Sequence, residues 1–204
     1  MSAILVVIQE EIQRSITLEN PMRLEYTRRA YQALPFLSSP GILDIGCGRG
    51  QVALTLVQAG ARSVTGLDLD AACIREFIQL SHDTRSPQRM QVVRGSMLHM
   101  PFCKERFDVL WSEGSILFMG FESGLRAWRR MIKPNGFLVV HVMTWLQPDP
   151  PEPVLAYGRS LYAGIDGIDR YVLQIADSGY DLLEYFLVPP EVWWHDYYLS
   201  LIHI

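Results

Sequence analysis

Apolar and polar positions fall into short blocks along the chain, and the block lengths switch repeatedly between those of strands and those of helices. Residues 41–46 form an apolar run that enters a cluster of glycines, which reads as a strand. Residues 51–58 carry a helical pattern that stops at Gly60. A second strand is expected over 63–67, after which Asp70 caps a helix through Cys73, Phe77 and Leu80. Strands follow over 90–94, 107–111, 137–142 and 180–188, with helices over 121–132 and 168–178 and another starting at 191–198. Lys133-Pro134-Asn135-Gly136 is a turn, and Pro148 to Pro153 form a loop leading into a stretch of little periodicity. Strands alternating with helices of this length imply right-handed βαβ units, hence an α/β fold with a mostly parallel sheet and helices on both faces.

Ahead of this series, Ile4, Ile8, Ile12 and Ile16 recur every four residues with polar residues among them, which predicts an amphipathic helix. Asn20-Pro21 starts a second helix that runs through Leu24, Tyr26 and Ala30 towards Leu34-Pro35. The two helices over 1–35 are expected to lie as a lid on the domain.

Composition narrows the function. The 204 residues are 49% hydrophobic and 20% charged, with a net charge of -4, so a folded domain is expected. A nucleic-acid surface needs clustered Lys and Arg; the pairs Arg28-Arg29 and Arg129-Arg130 lie in helical segments and read as solvated faces. Cys47, Cys73 and Cys103 lack CxxC spacing, which disfavours a disulfide framework or a metal site and suits a reducing, cytoplasmic setting. The apolar run at 3–8 is too short to span a bilayer, so no membrane partner is expected.

The chemistry concentrates in Asp44-Ile45-Gly46-Cys47-Gly48-Arg49-Gly50. Three alternate glycines after a strand and before a helix allow a sharp turn and let a ligand lie against the main chain, whose N–H groups suit a carboxylate or phosphate. Dinucleotide enzymes favour GxGxxG, whereas this loop is GxGxG with an acid two residues before it, which disfavours a nicotinamide dehydrogenase. Asp68 ends the next strand, where a carboxylate can accept hydrogen bonds from both hydroxyls of a ribose. Asp44 is placed to approach a positively charged amino-acid end.

The run Ile42 to Gly50 closely resembles the first motif of class I S-adenosylmethionine-dependent methyltransferases, and Val64-Thr65-Gly66-Leu67-Asp68 resembles the motif after it. The likeness continues through Phe107-Asp108-Val109-Leu110-Trp111-Ser112-Glu113-Gly114 and Arg129 to Val140. Together with Gly120-Phe121-Glu122 and the later aromatic pairs, it is similar to a small-molecule-type subgroup. The resemblance implies a Rossmann-like three-layer sandwich that binds S-adenosyl-L-methionine. It implies that Asp44, Gly46, Gly48 and Gly50 line the methionine part, with Asp68 and Leu69 at the ribose and adenine. Cys47, Gln51, Ser96, Met97 and Ser112 complete the implied set. Where the family usually has an acid for the adenine amino group, this chain reads Arg94-Gly95-Ser96-Met97. Ser96 can accept a hydrogen bond instead and Met97 can pack on the ring.

Methyl transfer is an in-line displacement and needs a general base only when the acceptor carries a proton. Glu113, just beyond a strand end, and His141, near the end of another, are the candidate catalytic residues. Trp193, Trp194, Tyr197 and Tyr198 form an aromatic patch that either walls an acceptor pocket or covers a sheet edge or dimer contact. The reading is a single domain over 1–198, with a lid at 1–35, a cofactor-binding core at 41–142 and substrate-side elements at 143–198. It is expected to move a methyl group to a small-molecule acceptor, as a monomer or homodimer. The alternative is a non-catalytic S-adenosylmethionine-binding protein or an inactive truncated remnant. Leu199-Ser200-Leu201-Ile202-His203-Ile204 matches a translation of the transposon end used in sequencing libraries. These residues are therefore expected to be a non-native tail, with the family's final antiparallel strand missing before it.

Overall fold

The computed structural model describes residues 2–10, 21–35, 37–84, 87–162 and 164–189. The helix expected over 191–198, its aromatic patch and the tail at 199–204 lie outside the described residues, as does the stretch 11–20.

The βα series takes the form that the pattern predicts. Strand β2 (Gly41–Ile45) leads to helix α2 (Gln51–Ala59), β3 (Ser63–Asp68) to α3 (Ala71–His82), then β4 (Met90–Arg94) and β5 (Phe107–Glu113). Helix α4 (Phe121–Trp128) precedes β6 (Ile132–Thr144), and α5 (Glu152–Leu161) and α6 (Ile168–Asp177) precede β7 (Tyr180–Val188). Asp70 caps α3 as expected, its side chain accepting from the Ala72 amide at 2.6 Å. Strand β6 starts earlier than the pattern suggests, since the 133–136 stretch read as a turn is part of it, with Asn135 at φ 62°.

The N-terminal segment corrects an expectation. Residues Ser2–Glu10 are not helical but form strand β1, parallel to both β6 and β7. Ala3 pairs with Phe137 on one side and Asp181 on the other. Its apolar run at 3–8 is continuous and not alternating, and such a run fits a four-residue helical spacing equally well. The other expected helix stands, as α1 (Pro21–Ala33).

The seven strands run β4-β3-β2-β5-β6-β1-β7, and every recorded pairing is parallel. No final antiparallel strand is seen among the described residues; β1 sits between β6 and β7. One core layer packs α1, α2 and Phe77 of α3 against Ile42, Val64, Val109, Trp111 and Val139. The other packs α4 and α6 against Leu43, Ile45, Leu110, Leu138 and Val140. The strand order reverses between β2 and β5, so their carboxyl ends open a crevice at the topological switch point.

The opposite edge is clasped by Asp108. Its carboxylate accepts from the Gly41 amide at 2.8 Å and from Lys133 Nζ at 2.8 Å, with the Arg62 guanidinium at 3.6 Å. Burial alone would raise its pKa, but the hydrogen bonds from Lys133 and Gly41 and the charges of Lys133 and Arg62 outweigh it. They hold the group below its ordinary value of 3.8. A depressed folded-state pKa adds stability that is full above that ordinary value and is lost as pH falls through the folded one. Asp108→Asn is therefore expected to lower stability at neutral pH and to flatten its decline below about pH 4, measured by urea melts across pH.

Candidate active site

At the end of β2 the chain turns through Gly46, Gly48 and Gly50, at φ 75°, 51° and 91°. Side chains rarely adopt that left-handed region, and two of these positions also lack space. A Cβ on Gly46 would lie 2.5 Å from the Ser115 side chain, and one on Gly50 would lie 2.6 Å from the Phe77 ring.

The loop is tied to the end of β3. The amides of Gly46 and Cys47 donate to the Leu67 carbonyl at 2.8 and 3.1 Å, and the Gly48 amide donates to Asp68 Oδ2 at 2.8 Å. The Asp70 amide donates to Asp68 Oδ1 at 2.9 Å. This changes the picture drawn from spacing: amides expected to cradle an anion already have acceptors. The first turn of α2 remains, because Gly50 has no side chain with which to cap it.

Asp68 is half-buried at the crevice. A carboxylate offers about four lone-pair sites, and two are used by main-chain amides, leaving one on each oxygen for two adjacent hydroxyls. Asp44 is buried on the central strand, its Cα paired with Gly66 and Trp111. Leu69 stands 64% exposed beyond Asp68, its carbonyl held by Arg94 Nε at 3.1 Å. Ser96 Oγ accepts from the Leu98 amide at 3.2 Å, and Met97 packs half-buried on the core layer of α4 and α6.

Two of the expected residues have side chains turned away. Cys47 Sγ is buried where a Cβ on Gly66 would lie 2.6 Å from it. Burial, then the Asp44 and Asp68 charges, push this thiol far up, so it is an inert packing group. Ser112 is fully buried, its hydroxyl 2.8 Å from that of Ser115, which donates to the Ile45 carbonyl at 2.5 Å. Gln51, half-buried, opens α2, and its carbonyl accepts from Thr55 Oγ1 at 2.9 Å.

The model of a methyltransferase domain matches residues 42–136, the stretch that contains the glycine turn, Asp68 and Glu113. That stretch is thus similar to a methyltransferase domain. It is 26% identical over 172 residues to 27-O-demethylrifamycin SV methyltransferase of Amycolatopsis mediterranei (strain S699), covering 81% of this chain and 62% of that one. Two solved structures share the fold. Geranyl diphosphate C-methyltransferase of Streptomyces coelicolor A3(2), in complex with Mg2+, geranyl diphosphate and S-adenosyl-L-homocysteine, matches at TM-score 0.64 and 18% identity, over 76% of this chain and 58% of that chain. The [4+2]-cyclase SpnF matches at TM-score 0.64 and 22% identity, over 79% and 61%. The chain thus spans about three-fifths of the length of these relatives.

Glu113 closes β5, its Cα paired with that of His141 on β6, so the two candidate catalytic residues are neighbours. His141 is buried. Glu113 Oε1 accepts from Thr27 Oγ1 of α1 at 2.8 Å and from Trp111 Nε1 at 2.9 Å. Beyond it Gly114, at φ 78°, faces open space. Thr27 and Ser115 escaped the sequence reading. Thr27 lies 86 residues from its partner, and nothing local marks it. Ser115, directly after Glu113-Gly114, was within reach as a short polar residue at a strand end.

Thr27 fastens α1 to the site. Thr27→Val is expected to cost about 1–3 kcal/mol, because one donor to a charged acceptor is lost. Thr27→Ser should cost far less. Thermal melts of the pair, with hydrogen exchange across α1, check this.

Proposed function

We propose that this chain binds S-adenosyl-L-methionine at the carboxyl ends of β3, β2 and β5 and transfers its methyl group to a small-molecule acceptor. The observation that carries the reading is the Asp68 carboxylate. Two main-chain amides hold it at the switch point, one on each oxygen, and each oxygen keeps acceptor capacity that fits a ribose diol. The rest of the donor set fits too. Asp44 places a negative charge beside the glycine turn for an ammonium group, and the N-terminus of α2 suits a carboxylate. Leu69 and Met97 give apolar surface for a purine, and Ser96 keeps acceptor capacity beside it.

When bound, S-adenosylmethionine supplies a methyl carbon activated by a sulfonium, so the protein's task is to align an acceptor lone pair with it. In this reading Glu113 is an oriented carboxylate at the crevice, since two donors to one oxygen fix its rotamer. His141, beside it in register, is the candidate for holding a proton that an acceptor sheds. The small-molecule acceptor is supported by the rifamycin and geranyl diphosphate enzymes among the relatives and by the absence of a net positive charge. The cytoplasm is the setting that the cysteine usage favours.

Calorimetry with S-adenosylhomocysteine and S-adenosylmethionine, followed by single-turnover transfer of labelled methyl to metabolite pools, tests the proposal. Absence of heat with both ligands overturns it. Heat without transfer favours the second reading, a cofactor-binding protein that moves no methyl group, to which the cyclase of the same fold lends weight.

A further inference from the structure

Beside the crevice, on the face covered by α4 and α6, the chain spends large apolar side chains on solvent. Phe118, in the single helical turn Ile116–Phe118 that follows β5, is 71% exposed. Its ring meets Tyr162 edge-on, with centroids 5.0 Å apart and planes at 70°. Met119, from the same stretch, Met143, near the end of β6, and Trp145, just after it, pack half-buried on the same core cluster as Tyr162. Leu146 follows, 40% exposed.

The surface is fixed, because hydrogen bonds tie its parts together. Trp145 Nε1 donates to the Ile165 carbonyl at 3.0 Å, and Tyr171 Oη donates to the Met143 carbonyl at 3.0 Å. Its chemistry is one-sided. The segments 115–119, 143–147 and 162–166 contain no Lys or Arg, and their one acid, Asp166, accepts from Gln174 Nε2 at 3.0 Å. The wall is continuous with the site, since Phe118 lies three residues beyond Ser115, whose hydroxyl meets the carbonyl of Ile45 just before the glycine turn. An apolar wall beside a reaction crevice recognises the body of a substrate by burial and ring contacts, and the methionines adapt to its outline.

Resting on the function proposed above, we infer that the acceptor is an uncharged small molecule with an apolar, ring-containing or polyunsaturated body. That body lies against Phe118 and Tyr162, which determine specificity. A phosphorylated acceptor is disfavoured, because the three segments that carry the wall's described residues supply no Lys or Arg with which to meet it.

The test uses 2-naphthol as a fluorescent probe on protein saturated with S-adenosylhomocysteine. Wild-type protein is expected to bind it at least about fivefold more tightly than 2-naphthyl phosphate. Phe118→Asp is expected to weaken 2-naphthol by at least about fivefold while leaving S-adenosylhomocysteine affinity unchanged. Leu146→Asp, on the adjoining segment, should act in the same direction. Equal binding by wild type and both variants, or a preference for the phosphate, would overturn the inference. So would sedimentation showing that Phe118→Asp turns a dimer into a monomer without changing probe affinity, since the wall would then belong to a second copy. Loss of S-adenosylhomocysteine binding in the wild type itself is a separate result, and sinks the cofactor reading instead.

Discussion

Asp68→Ala is expected to weaken S-adenosylhomocysteine binding by about a hundredfold, a loss of roughly 3 kcal/mol in calorimetry. Two charge-assisted hydrogen bonds to a diol, each worth about 1.5–3 kcal/mol, leave with the carboxylate. The substitution also removes the acceptor of the Gly48 and Asp70 amides, so the glycine turn loses its tie to β3. Orphaning such donors costs about 1–3 kcal/mol where they are shielded from water, and the ligand-free protein should melt earlier. Asp68→Asn separates the two effects, since its remaining oxygen serves one amide while the charge is gone. Binding within twofold of wild type in the alanine variant would mean that the sugar is held elsewhere.

The largest effect on stability is expected at Gly50. Its φ of 91° lies where a β-carbon is strained, and that carbon would sit 2.6 Å from the Phe77 ring, which is buried under α2 and the loop. Left-handed backbone costs about 1–2 kcal/mol for a non-glycine residue, and overpacking a core costs about 1–3 kcal/mol more. Gly50→Val should therefore lose about 2–5 kcal/mol, a large share of a typical domain's stability, and expression in soluble form should fall. A milder pair checks the cause: Gly50→Ala should regain part of its lost melting temperature when combined with Phe77→Leu. If the double variant is no better than the single, strain in the turn and not the ring contact is responsible.

Much of the fold was legible because each strand from β2 to β6 is followed by a loop or helix with its own chemistry. Glycines end β2, Asp68-Leu69-Asp70 ends β3 and caps α3, and Asn135-Gly136 marks the bend within β6. What failed was physically harder. The apolar run of β1 at 3–8 is continuous, so it lacks the alternation that marks a half-buried strand and fits a helical spacing equally well. Helix α5 escaped because, among its described residues, Gly158 alone is buried, and a helix without a covered stripe of side chains leaves little period to read.

At the site, the residues near the glycine turn were legible from spacing, but the use of their polar atoms was not. Whether the Gly48 amide faces a ligand or Asp68 depends on how close β3 brings that carboxylate, and chain order does not encode that distance. The same limit hid Thr27, whose hydroxyl meets Glu113 only after α1 has packed on the sheet.

The place of β1 has a kinetic consequence. Both its partners, β6 and β7, come from far along the chain, and β7 hydrogen-bonds to it and not to β6. Assembly of that half of the sheet joins the two remote ends of the described chain, which is the slowest kind of closure. While it is pending, the outer rim of β6 is a bare template for a foreign strand. Refolding yield should accordingly drop with protein concentration well before the cofactor half shows any difficulty.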